Sequence, residues 1–458
     1  MARTPLPGEY QAMNLQAPPS VTWRTHLSLA LLALVYIFSY IDRQVIAILI
    51  EPIKSEFGAS DSQMGLLTGL AFGLLYAALG VPVGKLADRY NRRGIVAIAC
   101  ALWSLATMAC GFAGQFWQLL LARMSVAIGE AGGMAPSVSL VSDLYPPKQR
   151  SFMISLFMMG PNLGVIVGLA FGGWIAQHYG WRATFIWFGV PGLLLALLVY
   201  LFVREPKRGG FETAAAMEKI QQLPSESLWT QVRRLLAIKA FRRLSLACGL
   251  AGVAGYGYGV WTPSFLVRTH EVSIAHAGLL FGVASGVGAV AGALFSGWLC
   301  DRLVSRDVRW QIGLPMLGVV ASIPCALAFF MWPTEGSWMW GTLRIPHALA
   351  FALAFGFFAS WWPSLSYSAI SHMVSSNERS VAAALLGFFI TLFGVGGGPL
   401  VTGMVSDLLT PMFGVQGLRW SLMVVMLLMI PTAILMGMAM NAYRERIAYM
   451  SQLNTKNV

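Results

Sequence analysis

The chain is patterned as a succession of long apolar runs, each followed by a short polar connection. Twelve runs reach about 20 residues, the length that crosses a bilayer as a helix. We number them spans 1 to 12 and place them at residues 27–50, 64–83, 95–112, 116–141, 152–176, 185–203, 244–267, 277–299, 312–332, 345–370, 381–405 and 420–442. The pattern predicts an all-α polytopic membrane protein with twelve transmembrane helices.

One connection is much longer than the others and divides the chain into two halves. The halves share three features in the same order: GKLADR and GWLCDR after spans 2 and 8, QRS and ERS before spans 5 and 11, and YGWRATFIWFGVP and LRWSLMVVMLLMIP at spans 6 and 12. Such a repeat indicates two pseudo-symmetric six-helix bundles, a transporter architecture. The predicted parts are a tail at 1–26, a bundle at 27–203, a linker at 204–243, a bundle at 244–442 and a tail at 443–458.

Composition supports a membrane protein and gives no sign of an enzyme. The chain is 57% hydrophobic and 11% charged, whereas soluble domains carry about 25% charged residues. Its five cysteines form no C-x-x-C pair, so we interpret them as packing residues and expect neither a disulfide nor a metal site. Walker-type loops, zinc-spaced histidines and nucleophile elbows are absent from the sequence. We therefore expect no catalytic residue and no cofactor other than a coupling proton.

The net charge of +12 is better explained by topology than by nucleic-acid binding. If the N-terminus is inside, the inner connections are basic and the outer ones carry few basic residues, which follows the positive-inside rule. The first 26 residues lack a signal peptide's features, and we expect a disordered cytoplasmic tail. Both termini are then cytoplasmic. We expect an integral protein of the inner membrane, if the source is bacterial, that is monomeric and has membrane lipid as its partner.

Four residues of the types Asp, Glu, Lys and Arg lie inside the apolar runs, all in the N-terminal half: Asp42, Arg43, Arg123 and Glu130. By helical rise, Asp42 and Arg123 lie about 12 Å and about 10 Å from the outer ends of their spans. Glu130 follows Arg123 by seven residues and so shares its helix face. We predict that these groups face the bundle interior and pair across spans 1 and 4, Asp42 with Arg123 or Arg43, and Glu130 with Arg123.

Such a cluster suits proton coupling. A carboxylate beside an arginine stays ionised, and the same carboxylate in a dry interior takes up a proton. Helix movement between two states would then change the proton affinity. The alternative is that the four charges are static structural links between helices.

The loops after spans 2 and 8 are candidates for a gate. In the first, Gly84 would allow close helix approach and Asp88 would cap a neighbouring helix. The alternative is a charged turn that only enforces topology.

These motifs resemble a known family. GKLADRYNRRG looks like the signature loop of the major facilitator superfamily, and GPNLGVIVGLAFGG (160–173) is similar to the span-5 motif of its drug-exporting branches. YIDRQ in span 1 and RMSVAIGEAGGMAPSVSLVSDLYPPKQRS in span 4 resemble the spinster-like lipid transporters.

The resemblance implies roles for particular residues. Asp42 and Glu130 would be protonation sites, and Arg43 and Arg123 their partners and contacts for a substrate head group. A cytoplasmic gate would contain Gly84, Asp88, Arg89 and Arg150, with Asp301 and Arg302 in the second half, where the basic cluster is looser.

The C-terminal half places helix breakers and aromatic residues inside spans 7 and 10. Broken helices line cavities in transporters. The residues that could meet an amphiphilic ligand are Tyr256, Tyr258, Trp361, Trp362 and Tyr367. Core packing or an interfacial aromatic belt is an alternative for each. The linker segment at 227–244 is basic and amphipathic, and it could lie along the inner leaflet or simply connect the halves.

The sequence therefore favours a proton-coupled transporter that works by alternating access. Its predicted substrate is a lysolipid or sphingolipid-like amphiphile with an anionic head. One alternative is a proton symporter for a small organic anion held by Arg43 and Arg123. A passive channel or scramblase belongs to a different class, which the repeat and the paired gate loops disfavour.

Overall fold

The computed structural model describes residues 21–208, 211, 227–341, 343–375 and 378–456. Residues 1–20 of the predicted tail (1–26) and residues 209–210 and 212–226 of the predicted linker (204–243) lie outside these ranges. Within them, eight helical stretches are long and apolar enough to cross a membrane. Two of these, Pro147–Phe202 and Arg379–Gln452, are long enough to cross twice.

The N-terminal half forms spans 1 to 6. Its helices are Trp23–Ile48 (span 1), Ile50–Phe57, Asp61–Gly65 with the π-helical Leu66–Leu70 and Ala71–Arg89 (span 2), Arg92–Gly111 (span 3), Phe116–Glu130 and Met134–Leu144 (span 4), and Pro147–Met158 and Gly160–Phe202 (spans 5 and 6). Spans 5 and 6 meet at Gly180, whose φ of 83° and ψ of 163° break the helix. Only glycine adopts this conformation without strain, so the chain turns back there.

The C-terminal half forms spans 7 to 12. Its helices are Leu228–Ala237 (the linker helix), Lys239–His270 (span 7), Ile274–Val304 (span 8), Trp310–Met331 (span 9), Leu349–Ala359 and Trp361–Met373 (span 10), Arg379–Phe389 with the π-helical Ile390–Gly397 and Gly398–Phe413 (span 11), the 3₁₀ turn Gly414–Gln416, and Gly417–Met426 and Met429–Lys456 (span 12). Several helices extend beyond the predicted apolar runs, because a helix can continue into water after it leaves the hydrocarbon.

A β-hairpin between spans 9 and 10 departs from the all-helical prediction. Strands β1 (Ser337–Trp340) and β2 (Leu343–Pro346) pair antiparallel, with Trp338 opposite Ile345. Gly341, at a φ of 61°, lies in the turn.

Span 5 packs against span 1 through a row of glycines. An ideal Cβ on Gly164 would lie 2.6 Å from the Cβ of Tyr40, and one on Gly168 would lie 3.1 Å from the Cα of Ile41. Small residues at a spacing of four let transmembrane helices approach closely. The GPNLGVIVGLAFGG motif is thus a packing surface that holds Asp42 and Arg43 in the bundle interior.

The two halves meet at only one end of the described bundle. We call the end that holds Asp61 and Arg268 the far end, and the end that holds Trp23 and Arg92 the basic end. Towards the far end, an ideal Cβ on Gly65 would lie 2.4 Å from the carbonyl oxygen of Pro399, and one on Gly73 would lie 2.8 Å from Gly396.

At the basic end the gate glycines are not in contact. An ideal Cβ on Gly84 or on Gly297 would have no neighbour within 4 Å. The expectation that Gly84 makes a close helix approach is therefore wrong for this conformation, because the halves are apart at the basic end. The described conformation is closed at the far end and open at the basic end.

Candidate functional site

The charged residues of span 1 and span 4 form a buried ion pair. Nε of Arg43 donates to Oε2 of Glu130 over 2.5 Å, and the Glu130 side chain has no exposed surface. Span 4 breaks directly after Glu130, at Ala131–Gly133. An ideal Cβ on Gly129 would lie 2.6 Å from the backbone nitrogen of Trp103, so only glycine lets span 4 lie this close to span 3.

Three aromatic rings enclose the guanidinium of Arg43. Its Cζ lies 4.9 Å from the ring centroid of Tyr40, 4.9 Å from that of Phe72 and 4.5 Å from that of Tyr76. Cations are attracted to aromatic faces at this range, more strongly when water is excluded. The pair borders a small cavity of about 10 Å³, which is room for about one water molecule.

Asp42 has a different environment. Its Oδ2 accepts a hydrogen bond from the Thr107 hydroxyl over 3.0 Å, and its Oδ1 is buried without a hydrogen-bond partner among the described residues. Nη1 of Arg123 donates to the backbone carbonyl of Asp42 over 3.2 Å. Within the described chain, the Asp42 carboxylate forms no ion pair.

The predicted cluster is therefore assembled, but with different partners. All four residues face the bundle interior, as the sequence predicts, and their contacts come from spans 1 to 4. Glu130 pairs with Arg43 and not with Arg123, because Arg43 reaches it beneath the aromatic rings. Asp42 pairs with neither arginine, because its side chain faces Thr107 of span 3. The sequence contained Thr107, but a threonine in an apolar run carries no distinctive signal.

A larger cavity lies between the halves. It measures about 590 Å³ and is lined by residues of spans 1, 5, 7, 8, 10, 11 and 12. Gly255 and Gly259 present bare backbone to it, since a Cβ on either would meet nothing within 4 Å. The polar side chains in its wall include those of Gln44, Asn162 and Ser285. None of the residues in its wall is charged.

Most of the predicted aromatic residues line this cavity. Tyr256, Tyr258, Trp362 and Tyr367 are in its wall. Trp361 is not: it is buried in a separate cluster with Cys300, Leu314 and Leu365, because it points to the opposite face of span 10. Arg43 and Arg123 are also absent from the wall, so their contact with a head group stays a prediction.

The predicted gate residues lie at the basic end. Arg89, Asp301 and Arg302 are exposed, Arg150 is half-buried, and the side chain of Asp88 lies outside the described part of the structure. The guanidinium of Arg302 stacks on Trp298 at 4.1 Å. Their association as a closed gate stays a prediction for another conformation.

Sequence reasoning missed an ion network at the far end, which we call the far-end clamp (Glu51, Lys54, Asp61, Arg268 and Asp407). Nη1 and Nη2 of Arg268 donate to the two carboxylate oxygens of Asp61 over 2.8 Å each, and Nε donates to Glu51 over 2.9 Å. Lys54 lies 2.5 Å from Asp61.

The clamp also includes a contact in which the acid belongs to the C-terminal half and the donors belong to the N-terminal half. The Asp407 carboxylate accepts from the backbone nitrogens of Asp61 and Ser62 over 2.9 and 2.7 Å, at the start of span 2. An anion there is stabilised by the free N–H groups and the helix dipole. The clamp residues lie at span ends, where sequence pattern alone reads charges as ordinary loop residues.

A second network holds the basic end of the N-terminal half together. Arg92 is buried and lies 2.5 Å from Asp143 and 2.9 Å from Glu205. The second Glu205 oxygen accepts from the backbone nitrogen of Arg93 over 2.8 Å. These contacts tie spans 3, 4 and 6 into one unit.

A twelve-span bundle of two halves, with a central cavity closed at one end, defines a secondary transporter. The chain belongs to the Major Facilitator Superfamily, whose sequence model matches residues 32–399. It is spinster-like within that superfamily. The predicted family and twelve-helix fold are thereby confirmed.

Individual relatives give the same classification. The chain is 32% identical to an MFS-type efflux pump of Mycolicibacterium smegmatis, over 93% of this chain and 94% of that protein. It is 26% identical to the sphingosine-1-phosphate transporter SPNS2 of Danio rerio, over 81% of this chain and 74% of the relative. A bacterial homologue of the human lysosomal transporter spinster, in an inward-facing and unoccupied conformation, superposes with a TM-score of 0.81 at 28% identity, covering 93% of this chain and 99% of that one.

Proposed function

We propose that the protein is a proton-coupled transporter of a lysolipid or sphingolipid-like amphiphile with an anionic head, working by alternating access. The observation that carries the proposal is the pairing of Arg43 with Glu130 beside the uncharged cavity. Ion coupling needs a buried acid whose partner can be exchanged. Amphiphile binding needs a large apolar space near a releasable cation.

Asp42 supplies one protonation site. A buried carboxylate with one hydrogen bond and no ion pair costs several kcal/mol if it is charged. We infer that Asp42 carries a proton in the described conformation. Movement of span 1 against span 3 would change its surroundings and release the proton.

Glu130 supplies the other site. Its partner Arg43 holds it ionised, since an adjacent cation favours the charged form of a carboxylate. Protonation of Glu130 would remove the charge that holds Arg43. The freed guanidinium, one residue from Gln44 in the cavity wall, could then bind an anionic head group as a bidentate donor.

The cavity suits the apolar part of such a substrate. Its wall combines tyrosine and tryptophan rings, bare glycine backbone and a few uncharged polar groups, which is the usual composition of small-molecule sites. The name of the Danio rerio relative, a sphingosine-1-phosphate transporter, supports a phosphate-bearing lipid over a small organic anion.

The charge distribution supports an orientation with the basic end in the cytoplasm. The described conformation is then inward-open, held by the far-end clamp on the outer side. The superposition on an inward-facing relative agrees with this assignment.

Export of drug-like apolar compounds is the second candidate. It is favoured by the name of the Mycolicibacterium smegmatis relative, an efflux pump, and by the uncharged cavity wall.

Transport by the purified protein in liposomes tests the proposal. Labelled lysophospholipid, a carboxylate and a cationic dye are supplied separately, with and without a pH gradient. We expect saturable lysophospholipid flux that a protonophore abolishes, and that is lost in Glu130→Gln but kept in Glu335→Gln, a matched change at an exposed acid. Flux of the carboxylate or the dye alone, or lysophospholipid flux that ignores the gradient, would overturn it.

A further inference from the structure

A basic groove lies at the basic end of the N-terminal half, away from the central cavity. It measures about 610 Å³ and is lined by the start of span 1, the start of span 3 and the end of span 6. Its residues are Thr22, Trp23, Arg24, Arg93, Leu201, Phe202, Val203 and Arg204. Three of these eight residues are arginines, and none is acidic. We call it the arginine groove.

The arginines of the groove have no acidic partner among the described residues. Arg24 and Arg204 are exposed, and their guanidinium groups form no ion pair there. Nε of Arg93 is buried and has no hydrogen-bond partner in the described part of the chain, and its guanidinium lies 5.4 Å from the ring of Tyr200. The nearest acid in sequence, Glu205, is occupied by Arg92 and by the backbone of Arg93.

The start of span 1 adds further positive potential. A helix N-terminus carries a partial positive charge, so a cation there is unfavourable and an anion is stabilised. Arg24 lies in the first turn of span 1, and that turn contains no acidic residue. Three arginines line the groove beside this helix N-terminus, and an anion between them would reduce their mutual repulsion.

The apolar wall of the groove indicates what kind of anion fits. Trp23, Leu201 and Phe202 are 69, 57 and 53% exposed, and they lie at the ends of two membrane-spanning helices. Tryptophan at such a position is typical of the bilayer interface. A molecule in the groove would contact arginines with its polar end and these apolar side chains with the rest.

We propose that the arginine groove binds an anionic phospholipid, with the phosphate between Arg24, Arg93 and Arg204 and the acyl chains along Leu201 and Phe202. Basic pockets between helices at the cytoplasmic side bind anionic head groups. The inference uses the orientation given under Proposed function, which places the groove in the leaflet that carries anionic lipid. It does not depend on what the central cavity transports.

Native mass spectrometry of the detergent-solubilised protein tests this proposal. Phosphatidylglycerol and phosphatidylethanolamine are titrated separately into the wild type, into Arg24→Gln/Arg93→Gln/Arg204→Gln, and into Arg233→Gln/Arg306→Gln/Arg444→Gln. The second triple variant removes the same charge from exposed arginines elsewhere on the chain. Each basic residue is worth about 5-fold in affinity, so the groove variant should bind phosphatidylglycerol about 100-fold more weakly. The affinity of the second triple variant for phosphatidylglycerol should stay within about 3-fold of the wild-type affinity.

Further arms keep the proposal separate from folding and from transport. Arg24→Gln alone changes an exposed residue and should still lower the affinity for phosphatidylglycerol by about 5-fold. Glu130→Gln should bind phosphatidylglycerol like the wild type, whether or not it transports, because its site lies elsewhere. Equal phosphatidylglycerol affinity in the two triple variants would overturn the proposal. Displacement of the lipid by inorganic phosphate at millimolar concentration would also overturn it, since the groove would then be a site for free anions.

Discussion

Arg43 and Glu130 are 87 positions apart in sequence and form a 2.5 Å ion pair between span 1 and span 4. Aromatic rings pack on the guanidinium and the Glu130 side chain is fully buried, so the pair is screened less by water than a surface pair would be. The energetic consequence is asymmetric. The pair itself stabilises the fold little, but removing one partner leaves a buried charge, which costs about 3–5 kcal/mol.

Glu130→Gln should therefore uncouple the transporter. The amide cannot balance the charge of Arg43, so we expect proton-driven substrate flux to fall by roughly 10-fold or more. The measurement is initial flux in liposomes with an imposed pH gradient, with Glu335→Gln as the matched control. Flux that remains coupled to the gradient in Glu130→Gln would show that this carboxylate is only a structural link.

Asp42→Asn should favour the described conformation. Asparagine has the shape of a protonated aspartic acid and can keep the contact with Thr107. We expect the variant to remain open at the basic end at every pH, as measured by distances between spin labels there. A population that instead closes at the basic end would contradict the inference that Asp42 is protonated in this state.

Breaking the far-end clamp should have the opposite effect. Asp61→Asn leaves Arg268 and Lys54 without their shared acceptor, and truncating one partner of a buried charged contact costs about 2–5 kcal/mol. We expect the population open at the far end to rise about 30-fold or more. Cysteine accessibility at exposed far-end positions is the readout.

The control for the clamp is Asp307→Asn. Asp307 pairs with Arg309 over 2.7 Å on the exposed surface, where single ion pairs contribute little. It should leave the accessibility unchanged. An equal response in the two variants would mean that Asp61 acts only through net charge.

The central cavity can be filled without disturbing the fold. Gly255 lies in its wall, and an ideal Cβ there would meet no neighbour within 4 Å. Gly255→Leu should preserve thermal stability, since leucine is about 1 kcal/mol better than glycine in a helix, and should weaken lysophospholipid binding. An ideal Cβ on Gly80 would also meet no neighbour within 4 Å, but Gly80 lies outside this cavity. Gly80→Leu should therefore bind lysophospholipid as the wild type does. Unchanged binding in Gly255→Leu would place the substrate elsewhere.

Contact between the linker helix and span 11 should not respond to pH in the range that drives transport. Arg234 lies 2.6 Å from Glu378. Burial alone would raise the pKa of Glu378, but hydrogen bonds from Ser375 and the charge of Arg234 hold it below its usual value. Because the pKa is lowered, the ionised carboxylate stabilises the contact fully at any pH above the ordinary carboxylate pKa. That stabilisation is lost only when the pH falls through the lowered pKa.

The mobility of a spin label at position 229 should accordingly stay constant from about pH 5.5 to about pH 8. It should rise in Arg234→Gln, which removes the contact. If the label becomes mobile on mild acidification in the protein that keeps both Arg234 and Glu378, part of the pH response would be assigned to Glu378.

Much of this architecture follows from the sequence, because apolar length determines which segments cross a bilayer and an intramembrane charge must face the interior. The sequence alone thus predicts that four charged residues lie close together: Asp42, Arg43, Arg123 and Glu130. Their pairing could not be predicted, because it depends on helix rotation and on the rings of Tyr40, Phe72 and Tyr76.

The far-end clamp shows a different limit. Asp61 and Asp407 are 346 positions apart, and each alone is an ordinary charge at a helix end. Their relationship depends on how the halves dock, which periodicity within one segment does not encode. The prediction of close packing at Gly84 has the same limit. Whether a neighbouring helix approaches Gly84 depends on which end of the bundle is closed.

The central claim is that Asp42 and Glu130 couple proton binding to movement of the two halves. Its most direct test is double electron–electron resonance in a background without native cysteines. One label pair is at Tyr90 and Ser305 for the basic end, and another is at Ser55 and Met412 for the far end. On lowering the pH from about 8 to about 5.5, the wild type should shift towards the conformation open at the basic end, and Asp42→Asn/Glu130→Gln should show one distribution at both pH values. A double variant that shifts like the wild type, or a wild type that does not shift, would contradict the claim.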